Sequence, residues 1–193
     1  RTEDGTASIA GHDDALLFDV AKSTQEVFDQ IEALATQEHD RKTLVIDSVS
    51  QFEKLAVKEI IDSEPNPKCK SMPAALGGYG KAYGALDKAH QDLREAAGYL
   101  AEECGMNVVF LMHATVEELE LPDADKYSRY TVSIHKNRQF ECGHHFCNNV
   151  DLVALVRLKT NLRGAGDGKK RAISDGEREI ICFPQAASVT KNR

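Results

Sequence analysis

The chain has 193 residues, 41% of them hydrophobic, with 24 Lys+Arg against 31 Asp+Glu and a formal charge of −7. That length makes one domain, 1–193, the default and builds a core without staples. No run of about eighteen apolar residues occurs, which excludes a spanning apolar helix, and five cysteines without framework spacing exclude a disulfide scaffold and suit a reducing cytoplasm.

Charge is uneven along the chain. Residues 1–150 carry 15 Lys+Arg against 26 Asp+Glu, and residues 151–193 carry 9 against 5. A basic end of this kind suits a polyanion partner, and equally an ordinary solvated surface. The chain opens on Arg1-Thr2-Glu3-Asp4-Gly5 and stops at Lys191-Asn192-Arg193, so it reads as a piece of a longer protein.

In chain order, "ALLFDV" (15–20) predicts a short strand. Ser23-Thr24-Gln25-Glu26 has capping-box spacing, and Val27, Phe28, Ile31 and Leu34 continue it at helical period. "TLVID" (43–47) predicts a strand, and Phe52, Leu55, Ile60 and Ile61 mark the apolar side of a helix over 51–61. Residues 64–80, "EPNPKCKSMPAALGGYG", form a long Pro/Gly loop of the kind that is functional or mobile in compact domains. A helix follows over 81–103 and ends at Gly105. "NVVFLMH" (107–113), with no polar alternation, predicts a strand buried on both faces. Residues 114–149 give no clear assignment. "DLVALVRL" (151–158) and "EIICF" (179–183) predict two strands around a turn-rich tip at 164–168, and "ASVTKNR" (187–193) a further one. The alternation of strands and helices predicts an α/β fold with a mainly parallel central sheet flanked by helices, and a C-terminal β-hairpin.

Four stretches carry the chemistry. Asp47 leaves an apolar strand with Ser48 after it, as in the acidic motif of P-loop ATPases, where the carboxylate holds Mg²⁺ beside the phosphates. An Asp closing a strand also serves as a helix cap or turn former. Glu3, in "TEDG", stands before that strand; Asp-Gly is a common turn pair, and on that reading Glu3 is an ordinary surface acid. His113 closes "NVVFLMH" as Asp47 closes its own strand, so the two are expected along one sheet edge, where open α/β sheets bind ligands. Lys191 and Arg193 form a basic pair after a late strand, able to neutralise charge on a transferring phosphoryl group, or to be an ordinary basic tail.

In this order, "TEDG", "TLVIDSVSQFEKL", "GGYGKAYGAL", "VVFLMHAT" and "VTKNR" resemble the RecA-like nucleotide-binding proteins of phages in the single-strand-annealing recombinase group, over nearly the whole chain. The resemblance implies a RecA-like P-loop NTPase core and an ATPase using ATP and Mg²⁺ in a bacterial host cell's cytoplasm. It implies that Asp47 serves Mg²⁺ through water with Ser48 supporting, Glu3 positions water and His113 senses the γ-phosphate. Lys191 and Arg193 then reach into a neighbour's site in a homo-oligomeric ring or filament. The family's phosphate loop, G-x-x-x-x-G-K-[ST], does not occur in these residues; "GAGDGKK" (164–170) lacks its ending and reads as a hairpin tip, so the loop is expected upstream of Arg1.

The same resemblance places single-stranded DNA against two mobile loops, 64–83 and 114–136. The first carries Lys68, Lys70, Tyr79, Lys81 and Tyr83; the second carries Lys126, Arg129, Tyr127 and Tyr130 beside five acidic residues. Cations beside aromatics suit phosphates and bases of a single strand. The function expected is ATP-dependent single-strand annealing or recombination, with a single-strand-binding protein as a further partner and no membrane. The alternative is a nucleic-acid-binding or replication-partner module of the same fold without hydrolysis. A third reading is a zinc-stabilised domain around Cys142, His144, His145 and Cys147 with His135 nearby, although C-x₄-C with adjacent histidines matches no standard zinc spacing.

Overall fold

The computed structural model describes residue 2 and residues 15–122, 124–164, 170–173 and 176–192. The protein is α/β and divides into two compact units, one from 1–113 and 133–148, the other from 114–132 and 149–193.

In the first unit, α1 (Thr24–Thr36) starts where expected: the Ser23 hydroxyl accepts the Glu26 N–H at 3.1 Å. The Glu26 carboxylate turns further back than a capping box requires and takes the Lys22 N–H at 2.8 Å. β1 (Thr43–Asp47) leads through Ser48 into α2 (Val49–Asp62). α3 (Lys81–Glu102) starts after Gly80 at φ +80° and closes across Gly105 at φ +65°, where the Met106 N–H returns to the Leu100 carbonyl at 3.0 Å. β2 (Asn107–Leu111) then pairs in parallel with β1, Thr43 against Asn107 through Asp47 against Leu111. Further on, the short α4 (Gly143–Cys147) returns to this unit.

Apolar residues at helical spacing meet in one core: Val27 and Ile31 of α1, Val49 and Phe52 of α2, Leu93, Ala97 and Leu100 of α3, Ile46 of β1 and Phe146 of α4. Edge-on aromatic contacts thread it, from Phe28 to Phe52 (6.1 Å), to His90 (5.9 Å), to Phe146 (5.9 Å) and to Phe110 (5.1 Å). This core packs the β1–β2 pair against the helices.

The second unit is built of antiparallel pairs. β3 (Ala114–Leu121) and β4 (Ala124–Val132) form a hairpin. β5 (Leu152–Val153) pairs with β10 (Lys191–Asn192), β6 (Leu155–Leu158) with β9 (Arg178–Ile181), and β7 (Asn161–Gly164) with β8 (Lys170–Ile173).

Several expectations change. Among the described residues one strand pair is parallel and four are antiparallel, so they do not form the mainly parallel central sheet expected. "ALLFDV" forms no strand: residues 15–20 have no regular structure, and Leu16 and Leu17 are exposed. "NVVFLMH" is shorter than expected and not buried on both faces, because Val109 and Leu111 reach solvent while Val108 and Phe110 pack on the core. "DLVALVRL" is interrupted at Ala154. The segment 114–136, expected as a loop, is mostly a hairpin. The tip of "GAGDGKK", 165–169, lies outside the described residues.

Candidate functional site

Parallel pairing decides which end of β1 and β2 carries chemistry. With Asp47 opposite Leu111, both strands emerge along one edge, and His113 follows just beyond the last rung. This edge is the carboxyl end of a parallel pair, the usual ligand position in α/β folds. Asp47 is half-buried and His113 exposed there.

Helix capping, the ordinary duty of an Asp in this place, falls to its neighbour. The Ser48 hydroxyl accepts the Gln51 N–H at 3.3 Å as N-cap of α2, and Ser48 is buried. Ser48 is therefore placed first as a cap, and its support of a metal's water shell would have to share that oxygen. The Asp47–Ser48 peptide is cis.

Thr2 grips this turn from outside the β1–α2 connection. Its N–H donates to the Asp47 carbonyl at 2.9 Å, its hydroxyl donates to the Ser48 carbonyl at 2.8 Å, and the Ser48 N–H donates to the Thr2 hydroxyl oxygen at 2.6 Å. The "TEDG" stretch therefore begins against the exit of β1. Glu3 itself lies outside the described residues, as does Arg193.

Ser50, on the first turn of α2, fixes the other strand. The His113 N–H donates to its hydroxyl oxygen at 3.0 Å, its O–H donates to the Ser133 carbonyl at 3.4 Å, and the Ser133 N–H donates to the His113 carbonyl at 2.7 Å. His113 is thus held at its backbone while its ring remains at the surface. Neither Thr2 nor Ser50 has a local sequence signal, since both act on residues remote in the chain.

The first DNA-loop candidates all belong to the first unit. Lys68, Lys70 and Lys81 are exposed. Tyr79 is 99% exposed and sits at φ +54°, a left-handed backbone uncommon for a bulky residue. Tyr83 is engaged instead, its ring stacked on His135 with centroids 4.5 Å apart. The second set lies in the second unit, on β4. Arg129 donates to Glu117 across the hairpin at 2.6 and 3.1 Å, and Lys126 lies 3.5 Å from Glu120. Tyr130 takes the Arg157 guanidinium over its ring at 5.7 Å. Alternation along the strand puts Lys126 and Tyr130 on one face and Tyr127 and Arg129 on the other. Lys191, also in this unit, is opposite Val153 in the β5–β10 pair.

The matching family model is an AAA domain, and it covers residues 1–193. The chain belongs to the AAA domain family. Such domains are nucleotide-binding P-loop ATPases, and the match places this chain in that class. No curated protein and no solved structure matches the chain. Among the described residues, no helix of the AAA domain is long and apolar enough to cross a membrane.

The cysteine–histidine segment is arranged differently from the zinc reading. His145 is bonded to Asp87 at 3.0 Å and His144 lies 3.3 Å from Glu141, so the adjacent histidines turn to separate carboxylates. Cys142 instead points into the unit, where its sulfur, a carboxylate oxygen of Glu53 and a ring nitrogen of His90 all lie within 4.8 Å of one another. Burial raises the Glu53 carboxyl, partly offset by the His135 N–H it accepts at 2.7 Å. Burial lowers His90 and His135, and pushes the Cys142 thiol up to about 12 with help from the nearby Asp87 and Glu53 charges.

Proposed function

We propose that this AAA domain is the RecA-like ATPase core of a phage protein that anneals or recombines single-stranded DNA as a homo-oligomer, with a single-strand-binding protein as a further partner. The observation that carries the reading is the shared edge: Asp47 and His113 leave neighbouring parallel strands together, with Thr2 bonded beside Asp47.

The donor set at this edge suits a hard cation. Mg²⁺ takes oxygen ligands and keeps several waters, and the half-buried Asp47 carboxylate offers oxygen at a strand exit whose helix is capped by another residue. The glycine-lysine cradle for the phosphates is not among the 193 residues. Bound MgATP supplies the phosphoryl group and its transfer to water. In this reading Asp47 holds the metal's water shell, Glu3 orients the attacking water and Lys191 and Arg193 place positive charge in a neighbour's site.

His113 reports on the nucleotide. Its peptide is bonded on both sides, and the β3–β4 hairpin starts at the next residue. DNA is met by Lys68, Lys70, Lys81 and the uncovered Tyr79 ring; the hairpin cations Lys126 and Arg129 must exchange their acidic partners to take part.

The test is ATP hydrolysis by the full-length protein with single-stranded DNA present. Asp47→Ala is expected to lower turnover by about a hundredfold or more, and unchanged turnover overturns the assignment. Strong DNA binding without nucleotide, together with no ATP turnover, would favour the alternative, a binding module of the same fold without hydrolysis.

A further inference from the structure

The Glu53–His90–Cys142 group lies inside the first unit and has no part in the nucleotide chemistry proposed above. It joins three separate pieces of chain: α2 gives Glu53, α3 gives His90 and the turn entering α4 gives Cys142.

His90 shows what the group lacks. Its side chain is 0% exposed, between the edges of Phe52 and Phe146. Nδ1 lies 2.9 Å from the Leu86 carbonyl, which can only accept, so Nδ1 carries the proton and Nε2 presents a lone pair. That Nε2 has no hydrogen-bond partner, and it faces Glu53 Oε2 at 3.4 Å. The His90 lone pair thus faces a carboxylate oxygen with no hydrogen bond between them, and the Cys142 sulfur lies within 4.8 Å of both. Buried polar atoms of folded proteins rarely stay unpartnered.

A cation would give His90 Nε2 the partner it lacks and draw on the Glu53 carboxylate and the Cys142 sulfur beside it. A backbone carbonyl fixing the far ring nitrogen is the usual support behind a metal-binding histidine. Around tetrahedral Zn²⁺ with bonds of about 2.1 Å, neighbouring oxygen and nitrogen ligands stand about 3.4 Å apart, the separation found here. Nitrogen and sulfur together select a soft or borderline ion over Mg²⁺ or Ca²⁺. Ala56, Leu86, Val57, Ile60 and Ile134 pack round Cys142, and the Asp87 carboxylate, itself bonded to His145, also reaches its thiol. The Glu53 side chain is 19% exposed, giving a fourth, solvent ligand a way in.

We propose that Glu53, His90 and Cys142 form a site for one thiophilic divalent ion, best matched by Zn²⁺, which clasps the segment entering α4 onto α2 and α3. Binding replaces the Cys142 thiol proton, which leaves to solvent, and the neutral imidazole and the carboxylate coordinate directly.

The experiment is a titration of the chelator-treated full chain with Co²⁺, followed by the thiolate-to-cobalt charge-transfer band, and then displacement by Zn²⁺. One equivalent per chain is expected. Cys142→Ala should abolish the band. Glu53→Gln, which keeps an oxygen for the His135 N–H, should weaken binding by at least the roughly 10–100-fold that loss of an outer-shell partner costs. His144→Ala and Cys147→Ala should bind as the parent does. Absence of the band in the parent protein, its survival in Cys142→Ala or its loss in Cys147→Ala would each overturn the proposal. Should Cys142→Ala fail to fold, Glu53→Gln decides: parental affinity refutes the site and weakened affinity supports it.

Discussion

Replacing Ser50 by alanine tests the clamp at the end of β2. The Ser50 hydroxyl accepts the His113 N–H at 3.0 Å and donates to the Ser133 carbonyl at 3.4 Å, the second bond being long. Leaving a buried donor unmade costs about 1–3 kcal/mol. Both bonds are only part-buried, so water can reach the His113 N–H and the cost falls near the lower limit. Alanine also favours the first turn of α2 by up to about 0.5 kcal/mol. The net expectation is a loss of about 1 kcal/mol, roughly fivefold in the folding equilibrium. Urea unfolding at constant slope measures it, and Ser50→Cys, similar in size but a weak acceptor, should behave alike. Amide hydrogen exchange supplies the local readout: the His113 amide should lose protection while the Val109 amide, in the β1–β2 ladder, keeps it. A His113 amide as protected in Ser50→Ala as in the parent would refute the clamp.

Two further outcomes follow from burial. Phe52→Ala removes a fully buried ring that meets both Phe28 and His90, and should cost about 3–5 kcal/mol, read as a drop in denaturation midpoint; a cost below about 1 kcal/mol would contradict the packing described. Tyr79→Ala removes a ring that touches almost nothing, and should leave stability within about 0.5 kcal/mol. If that ring stacks on bases, the same change weakens binding of a fluorescent oligothymidine by about 1–3 kcal/mol, and unchanged anisotropy titrations would remove Tyr79 from the interface.

The helices were legible because each signal is local. Ser23 caps α1 as its spacing requires, and the apolar stripe of α3 at Leu86, Leu93 and Ala97 is the buried face observed. His90, four residues after Leu86, falls on that stripe and could have been read as buried. Its partners Glu53 and Cys142 could not, because only the packed fold brings them to it. "ALLFDV" shows the limit of a short apolar run: nothing in its composition says whether a neighbouring strand is there to pair with it. In 114–136 the strand signal is only compositional: "KYSRYTV" is rich in Tyr, Thr and Val but has no period-two alternation, and the acidic residues of β3 carry no strand preference, so the hairpin is set by cross-strand pairing rather than by local pattern. At the candidate site, Asp47 and His113 were placed on one edge by pattern alone, and the β1–β2 register agrees. Thr2 and Ser50, whose partners lie remote in the chain, have no local pattern to reveal them.

Because the Ser133 N–H already reaches the His113 carbonyl at 2.7 Å, the chain leaves for the hairpin and comes back at almost the same point. The excursion from 114 to 132 is therefore closed at its base, and its outgoing strand is tied elsewhere: the Tyr130 N–H donates to the Ala187 carbonyl at 2.9 Å and the Val189 N–H to the Tyr130 carbonyl at 3.0 Å. Rejoining residues 113 and 133 through a tight artificial turn would keep the first unit's chain path continuous but would strip residues 187–189 of their strand neighbour, so the segment that begins as a loop of one unit ends as a support of the other.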